Sequence, residues 1–575
     1  MWLISQTNRV RITIRGHSIC VTLIYVRKGG RVLVIFDRHS VVHVDHTPGG
    51  LLFVLVDEEF AVYRERDIEI DDDIIRSAGK HELKAGVQAL GIFVHDFDPS
   101  SFTGSYVFGG GAAPTLTSNN APTGQTETVT PLEQYRRALL NLPGGQPTTY
   151  QVIAGNPVVP VTQWRLGLYV QDTCKLSTKV TLTGGLRYDL QTTPTSFASF
   201  EPRFGLAWAV DQKQTWVFHL RAGLFSSQPI NPLYATQVYG VNGLRKQEST
   251  VYSPNFQTPL VPTVGSVQVG TVYQFSESSL ARQSSVVIYA NAEHTFPHQW
   301  LARLNFYYGE DYNVVRIRNI NAPLTPSSIG EEVNPLTALQ APRPFAPNEN
   351  ILVYQNSGHL NGDVASFSLD QHSYKRFGLS ARYAHMNFKS NAGDSDSSPV
   401  MPQSSYSDQG ESARVDWLTA NSVTLLGNLN LPDKLEFDAE LDAHSGHPYN
   451  ITTGTDNNGD GSFNDRPAYA SSQGSNVYNT RFGLLTPDAV NGTISRNLGT
   501  MPAVLHLDVN LSRDFILNPQ NKDHPRTVSF NVRSASLLNH TNVTAVNSVL
   551  SSAAVGQPLT AEPARRVELG VRFSF

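Results

Sequence analysis

The chain has 575 residues, a formal net charge of -5 and only 16% charged residues. That balance suggests no polyanion partner, so no nucleic acid is expected. Hydrophobic residues make up 40% and aromatics 10%, with Gly (43) plentiful and Met (4) and Cys (2) scarce, a composition that favours strands and turns over helices. No run of 18 or more apolar residues occurs, so no membrane-spanning helix is expected. Cys20 and Cys174 are too few for a disulfide framework, and the sequence leaves their pairing open.

Residues 1–78 form a first segment, richer in charge and His than the rest. Val10, Ile12 and Ile14 alternate with Arg11, Thr13 and Arg15; β-branched runs occur at Cys20–Val26, Arg31–Phe36 and Leu51–Val56, and the acidic run Asp67–Asp73 comes after them. The β-branched runs read as strands and the acidic run as a solvated loop. The segment is either a set of genuine early strands of the same fold or an unrelated sequence joined to it by a wrong start or a frame change. Its first residues lack the apolar core of a secretory signal. For an exported protein, the beginning as given is expected to be incomplete or mis-started.

Residues 79–575 carry a clearer pattern. Lys80–Val94 and Phe102–Phe108 read as a strand pair, succeeded by a Gly/Pro/Thr-rich insert whose one helical candidate is Leu132–Leu142. Trp164, Leu166, Leu168 and Val170 alternate with Arg165, Gly167, Tyr169 and Gln171, and Val180–Leu190 repeats the form across a short turn. Such two-faced segments recur at Phe204–Val210 and Trp216–Leu224, at Ser285–Phe296 and Trp300–Arg318, and at Ile351–His359, Val364–His372 and Phe377–Lys389. They continue at Asn421–Leu431, Lys434–His444, Leu505–Ser512, Thr527–Arg533 and Val567–Phe575. The segment Lys434–His444 alternates without a break between Leu/Phe/Ala and Lys/Glu/Asp. Between them, short turns alternate with long Pro/Ser/Asn-rich loops.

Alternation by itself also suits a soluble sandwich. Roughly 14 strands after Lys80, each near the 9–11 residues that a tilted membrane strand needs, favour a transmembrane barrel instead. Charges such as Arg187, Arg221, Glu436, Asp442 and Arg572 keep to the polar face, whereas Arg or Lys facing lipid near the midplane costs ~2–4 kcal/mol. Trp164, Tyr188, Trp208, Trp216 and Phe575 suit interfacial girdles. The expected fold is all-β, an antiparallel transmembrane β-barrel of roughly 16–22 strands with long extracellular loops.

The segments LYVQDTCKLSTKVTLTGGLRYDL (168–190), EPRFGLAWAV (201–210), RAGLFSSQP (221–229), DNNGDGSFNDRPA (456–468), LLNHTN (537–542) and the terminal VELGVRFSF resemble the barrel region of TonB-dependent outer-membrane receptors of the Oar-like type. The resemblance spans about 160–575. It implies outer-membrane localisation in a Gram-negative envelope, contact with outer-membrane lipid, and binding and uptake of an extracellular ligand. It also implies assembly by the barrel-assembly machinery through the strand ending at Phe575. Complete members carry a signal, a plug and an energy-coupling box, none of which is seen here; the chain is expected to be truncated, with the inner-membrane energy-coupling complex a partner only where a plug precedes it. The same type admits a non-transporting adhesion or scaffold barrel.

One local constellation suggests a metal. Asp456, Asn458 and Asp460, with Gly461 after them, have the D-x-N-x-D-G spacing that wraps oxygens around calcium. Pro467 stands where an EF-hand places its bidentate Glu, and Asx/Gly clusters also form turns without metal, so calcium and a structural loop are the two readings. No other cofactor is expected. No G-x-S-x-G or H-E-x-x-H motif occurs, and neither His81 with Glu82 nor His540 has catalytic spacing, so no enzyme is expected.

Overall fold

The computed structural model describes strands within 7–14, 17–24, 45–46 and 52–55, then residues 61–226, 232–276, 282–324, 341–374, 376–392, 399–518, 520 and 526–575. The expected run Arg31–Phe36 lies outside the described residues, as do the side chain of Cys20 and hence the question of its pairing. Cys174 is a free thiol.

Among the described residues, seventeen strands form one antiparallel meander. They are β1 (Thr7–Ile14), β2 (His17–Ile24), β3 (Val62–Ala78), β4 (His81–Phe97), β5 (Val158–Lys175) and β6 (Val180–Thr192). Next come β7 (Thr195–Ala209), β8 (Trp216–Ser226), β9 (Ser284–Thr295), β10 (Leu301–Asn319), β11 (Glu349–Tyr374) and β12 (Phe377–Ser390). The last are β13 (Asn421–Leu431), β14 (Leu435–His444), β15 (Val504–Ile516), β16 (Thr527–Ala535) and β17 (Arg566–Ser574). Each pairs with the next along the chain. Among the described residues the free edges of β1 and β17 show no pairing with each other.

The register explains the alternation. Leu425 pairs with Leu441 and Leu429 with Phe437 on one face, while Thr424 pairs with Asp442 and Asn428 with Asp438 on the other. The apolar face looks outward: Val170 is 51% exposed and Leu304 58%. That much exposed aliphatic surface suits hydrocarbon, not water. Trp208, Trp216, Phe218, His294 and Phe296 gather beside the short turns after β7 and β9, with Trp216 and His294 stacked at 4.1 Å. This is half of the expected girdle, and it marks the short-turn side as periplasmic.

Three expectations are corrected. The acidic run is not a loop but part of β3, hydrogen-bonded to β2 and β4, with Asp67, Glu69, Asp71 and Asp73 sharing a face. Ser105–Phe108 does not pair with β4, because both edges of β4 are taken by β3 and β5; it pairs with Leu52–Leu55 and Thr149–Gly155. Ile351–His359 and Val364–His372 are one strand, β11, because Gly358 and Gly362 continue the ladder instead of turning. The packing there is tight: a Cβ on Gly362 would collide with the Phe388 ring. Helix α1 (Pro131–Leu139) answers the helical candidate, capped by Thr130, whose hydroxyl accepts from the Glu133 N–H. Helix α2 (Pro232–Gly240) has no counterpart among the sequence expectations.

The long loops build a second layer above the wall. Ser105–Phe108, Thr149–Gly155, Lys246–Tyr252 and Val267–Phe275 pair in turn, and the last runs parallel to the start of β11. Under it, α2 is wedged between two parts of the wall. Ala235 packs with Ile92 and Val94 of β4 and Val159 and Val161 of β5, while Val238 packs with Val315 of β10 and Tyr354 of β11. The Tyr354 hydroxyl donates to Gln237 Oε1 at 2.5 Å. Among the described residues the buried hydrophobic clusters lie within this vault or where it packs against wall strands; elsewhere the wall has its apolar face outside.

Candidate functional site

The inward face of β4, β5 and β6 carries a polar site. Register places Tyr169 beside Gly86 and Arg187, and a Cβ on Gly86 would lie 2.5 Å from the Tyr169 hydroxyl. Only glycine therefore lets the ring lie across the neighbouring strand. Lys84 Nζ and Arg187 Cζ sit 5.7 and 6.0 Å from the ring centroid, within cation–π reach. Lys84 pairs with Asp73 at 3.2 Å. Arg187 donates through Nε to Asp189 at 2.7 Å and through Nη2 to Gln88 Oε1 at 3.0 Å, and Arg203 donates to Glu201 at 2.6 Å. Asp71, Lys84, Gln88, Tyr169, Gln171 and Arg187 line a cavity of about 520 Å³.

Farther round the wall lies a second cavity of about 600 Å³, lined by Asn428, Asp438, Glu440, Asp508, Asn510 and Arg533. Glu440 and Asp508 are direct cross-strand partners, so two carboxylates meet on this stretch. The lumen thus offers mixed-charge and acidic zones, hydroxyls and amides, which is chemistry for holding a polar solute in water.

The loop expected to bind calcium is buried in the vault, with Asp456, Asn458 and Asp460 all under 7% exposed. Asp456 Oδ1 accepts the Asp460 N–H at 3.1 Å and Oδ2 accepts the Gly461 N–H at 3.0 Å. Asn458 Oδ1 accepts the Asp460 N–H at 3.0 Å, and Asp460 Oδ1 accepts the Ser462 N–H at 2.9 Å. These oxygens close a turn whose Gly461 has φ 91°. Among the described residues no group of three or more His, Cys, Asp or Glu is arranged to hold a metal ion. Burial pushes Asp456 up from its ordinary 3.8 to about 6. Burial, then the Asp456 charge, holds Asp460 well above the usual range, and burial, then the Asp460 charge, does the same to Asp465.

The same segment supplies a residue that sequence reasoning missed. Arg466 pairs with Glu411 at 2.8 Å, both at most 2% exposed, and donates through Nε to the Ile494 carbonyl at 3.0 Å. Arg496 approaches Glu411 at 3.9 Å and donates to the Ser390 carbonyl at 2.6 Å. Three segments of two loops, 391–420 and 445–503, are knotted by one carboxylate. The available signal was the Arg-Pro that ends DNNGDGSFNDRP.

His81 does gain partners: its Nδ1 lies 2.7 Å from Asp172 Oδ2, and its Nε2 3.8 Å from Cys174 Sγ. These residues sit on the outward side of the wall beside the periplasmic turn, away from both cavities. His540 Nδ1 meets Asn542 Oδ1 at 2.8 Å and closes a turn.

A family model for an outer membrane beta barrel domain matches residues 53–198 and 192–568. No curated protein matches the chain. Among solved structures, the outer membrane transporter YddB from Escherichia coli aligns with a TM-score of 0.52 at 10% identity, over 98% of this chain and 61% of that one. The siderophore receptor PirA from Acinetobacter baumannii aligns at 0.49 and 11%, over 91% and 56%. A ferric enterobactin receptor (PfeA) mutant from Pseudomonas aeruginosa aligns at 0.48 and 12%, over 90% and 54%. The chain therefore spans little more than half the length of these structures. Matched by that model over nearly its whole length, and with strands that turn their apolar face outward, the chain belongs to the outer membrane beta barrel domain family and is a protein of the outer membrane.

Proposed function

We propose that the chain is the barrel of an outer-membrane receptor that binds a polar solute in its lumen and admits it across the outer membrane, as TonB-dependent receptors do. The observation that supports this is the inward polar face with its cavity at Tyr169, Lys84 and Arg187. A wall built only to display loops has no need of an aromatic–cation cluster inside it. On this reading residues 1–78 supply genuine first strands, since β3 is bonded to β4 along its whole length. The role is non-enzymatic. The assembly machinery would read β17 with the fully exposed Phe575 beside it, and energy coupling would require a plug.

The test is liposome swelling by the refolded chain, with heat-modifiable migration on gels as the check of folding. Solute-dependent swelling by the heat-modifiable form is expected; a folded barrel that passes no solute would leave the adhesion or scaffold role. That second reading draws on α2, which fills space between the two parts of the wall that it joins. Calcium at Asp456, Asn458 and Asp460 is likewise our proposal for the vault loop, decided by melting with calcium and with chelator.

A further inference from the structure

At the outer ends of β5, β6 and β7, next to the cavity beside Tyr169, the wall holds a buried charged cluster whose hydrogen bonds do not close on themselves. Gln191 is wholly buried, Glu201 is 1% exposed and Arg282 8%. Arg165 and Gln191 are direct cross-strand partners, and Arg282 Nη1 lies 3.7 Å from Asp189. Arg165 and Arg282 are near enough to act on each other electrostatically. Arg187 and Arg203, which bond Asp189 and Glu201, also line the cavity, so cluster and cavity are contiguous.

Within this cluster two donors, Arg165 Nη2 and Arg282 Nε, and two acceptors, Gln191 Oε1 and Glu201 Oε1, are buried without a hydrogen-bond partner among the described residues. Buried polar atoms are nearly always paired, so several orphans on adjoining strands point to a guest. The charges narrow its chemistry. A cation meets Arg165 and Arg282, and an anion meets Asp189 and Glu201. What satisfies two donors and two acceptors together is a neutral molecule that both gives and takes hydrogen bonds, as hydroxyl groups do.

We propose that this cluster and the adjoining cavity form a binding site for a neutral polyhydroxylated solute, a sugar. Its hydroxyls donate to Gln191 and Glu201 and accept from Arg165 and Arg282. The proposal rests on the reading that the lumen takes up a solute, and it names that solute's class.

The experiment is calorimetric titration of the refolded 575-residue chain in detergent with maltose, glucosamine and gluconate, which are neutral, cationic and anionic probes. Saturable maltose binding, at least about tenfold tighter than either charged probe, is expected, because each mismatched probe brings a buried like charge. Glu201→Gln and Arg282→Gln should each weaken it by about tenfold or more, while Lys434→Gln in a periplasmic turn leaves it unchanged. Preference for gluconate or glucosamine, indifference to both cluster substitutions, or no saturable binding by any probe, with water alone in the cluster, would overturn the proposal. The three-probe comparison needs no variant, so it stands even if a substitution prevents folding. Swelling of liposomes by the same preparation separates the failures: swelling without binding sinks the sugar site alone, and neither swelling nor binding sinks the uptake reading as well.

Discussion

The wall and the vault satisfy their backbones by opposite means. In the wall every strand bonds its chain neighbours, and most side chains are divided between two solvents. In the vault, strands and loops distant in sequence are stitched together, apolar clusters such as Ile451, Leu485, Ile494 and Leu550 are buried, and charges are buried with them. The wall accordingly tolerates change on its inner face and punishes it on its outer face, while the vault punishes the loss of single polar groups.

The sharpest break of that contrast is Glu411→Ala. Removing the carboxylate leaves Arg466 and Arg496 buried without it, a change that costs about 3–5 kcal/mol. It should unfold the vault, read as protease cleavage in 399–503, while the heat-modifiable band of the wall survives. Loss of both together would mean that vault and wall are one cooperative unit. Next comes a pair on one strand: Leu425→Arg, facing lipid, should cost ~2–4 kcal/mol, and Thr424→Arg, facing the lumen, far less. Comparable denaturant midpoints for the two would contradict the assignment of faces.

The third prediction concerns pH. Asp456 holds its proton up to about 6, against 3.8 in an unstructured chain. Between those values the folded vault binds more protons than the unfolded one, so stability falls as pH rises from about 4 to about 6 and then levels. Asp456→Asn should flatten that slope in vault melting. Calcium, which needs ionised carboxylates, would reverse it; identical melts with calcium and with chelator at pH 7 would remove the metal proposal. The smallest effect is expected of Tyr354→Phe, which deletes the hydrogen bond to Gln237 on α2 and should cost about 1 kcal/mol, with faster amide exchange in 232–240 as the readout.

The contrast also explains what can be read from the residues. The wall is legible because a period of two in Leu435–His444 or Val567–Phe575 reflects two solvents, and the structure returns those strands almost to the residue. Reading Asp67–Asp73 as a loop weighs charge density without its alternation, which a hydrated lumen accepts. The long β11 splits, in the sequence, at glycines that relieve close contact with Phe388 and Ala392. Helix α2, PLYATQVYG, has no polar stripe: its environment is protein around it, so no amphipathic period announces it. In the candidate site, the alternation places Arg187, Tyr169 and Arg165 inward, but which of them remain short of partners depends on Arg282, more than ninety residues beyond Arg187 in the chain.

Pairing of each wall strand with its immediate successor also has a kinetic meaning. Strands joined by the short turns close at low entropic cost, and the resulting hairpins can be added one after another as the chain arrives. The knot of Glu411, Arg466 and Arg496 closes long loops and gains little until all three segments have met. The vault should therefore be the last part to become native, and an arrested assembly would show a sealed run of hairpins in the membrane beneath loops still open to protease.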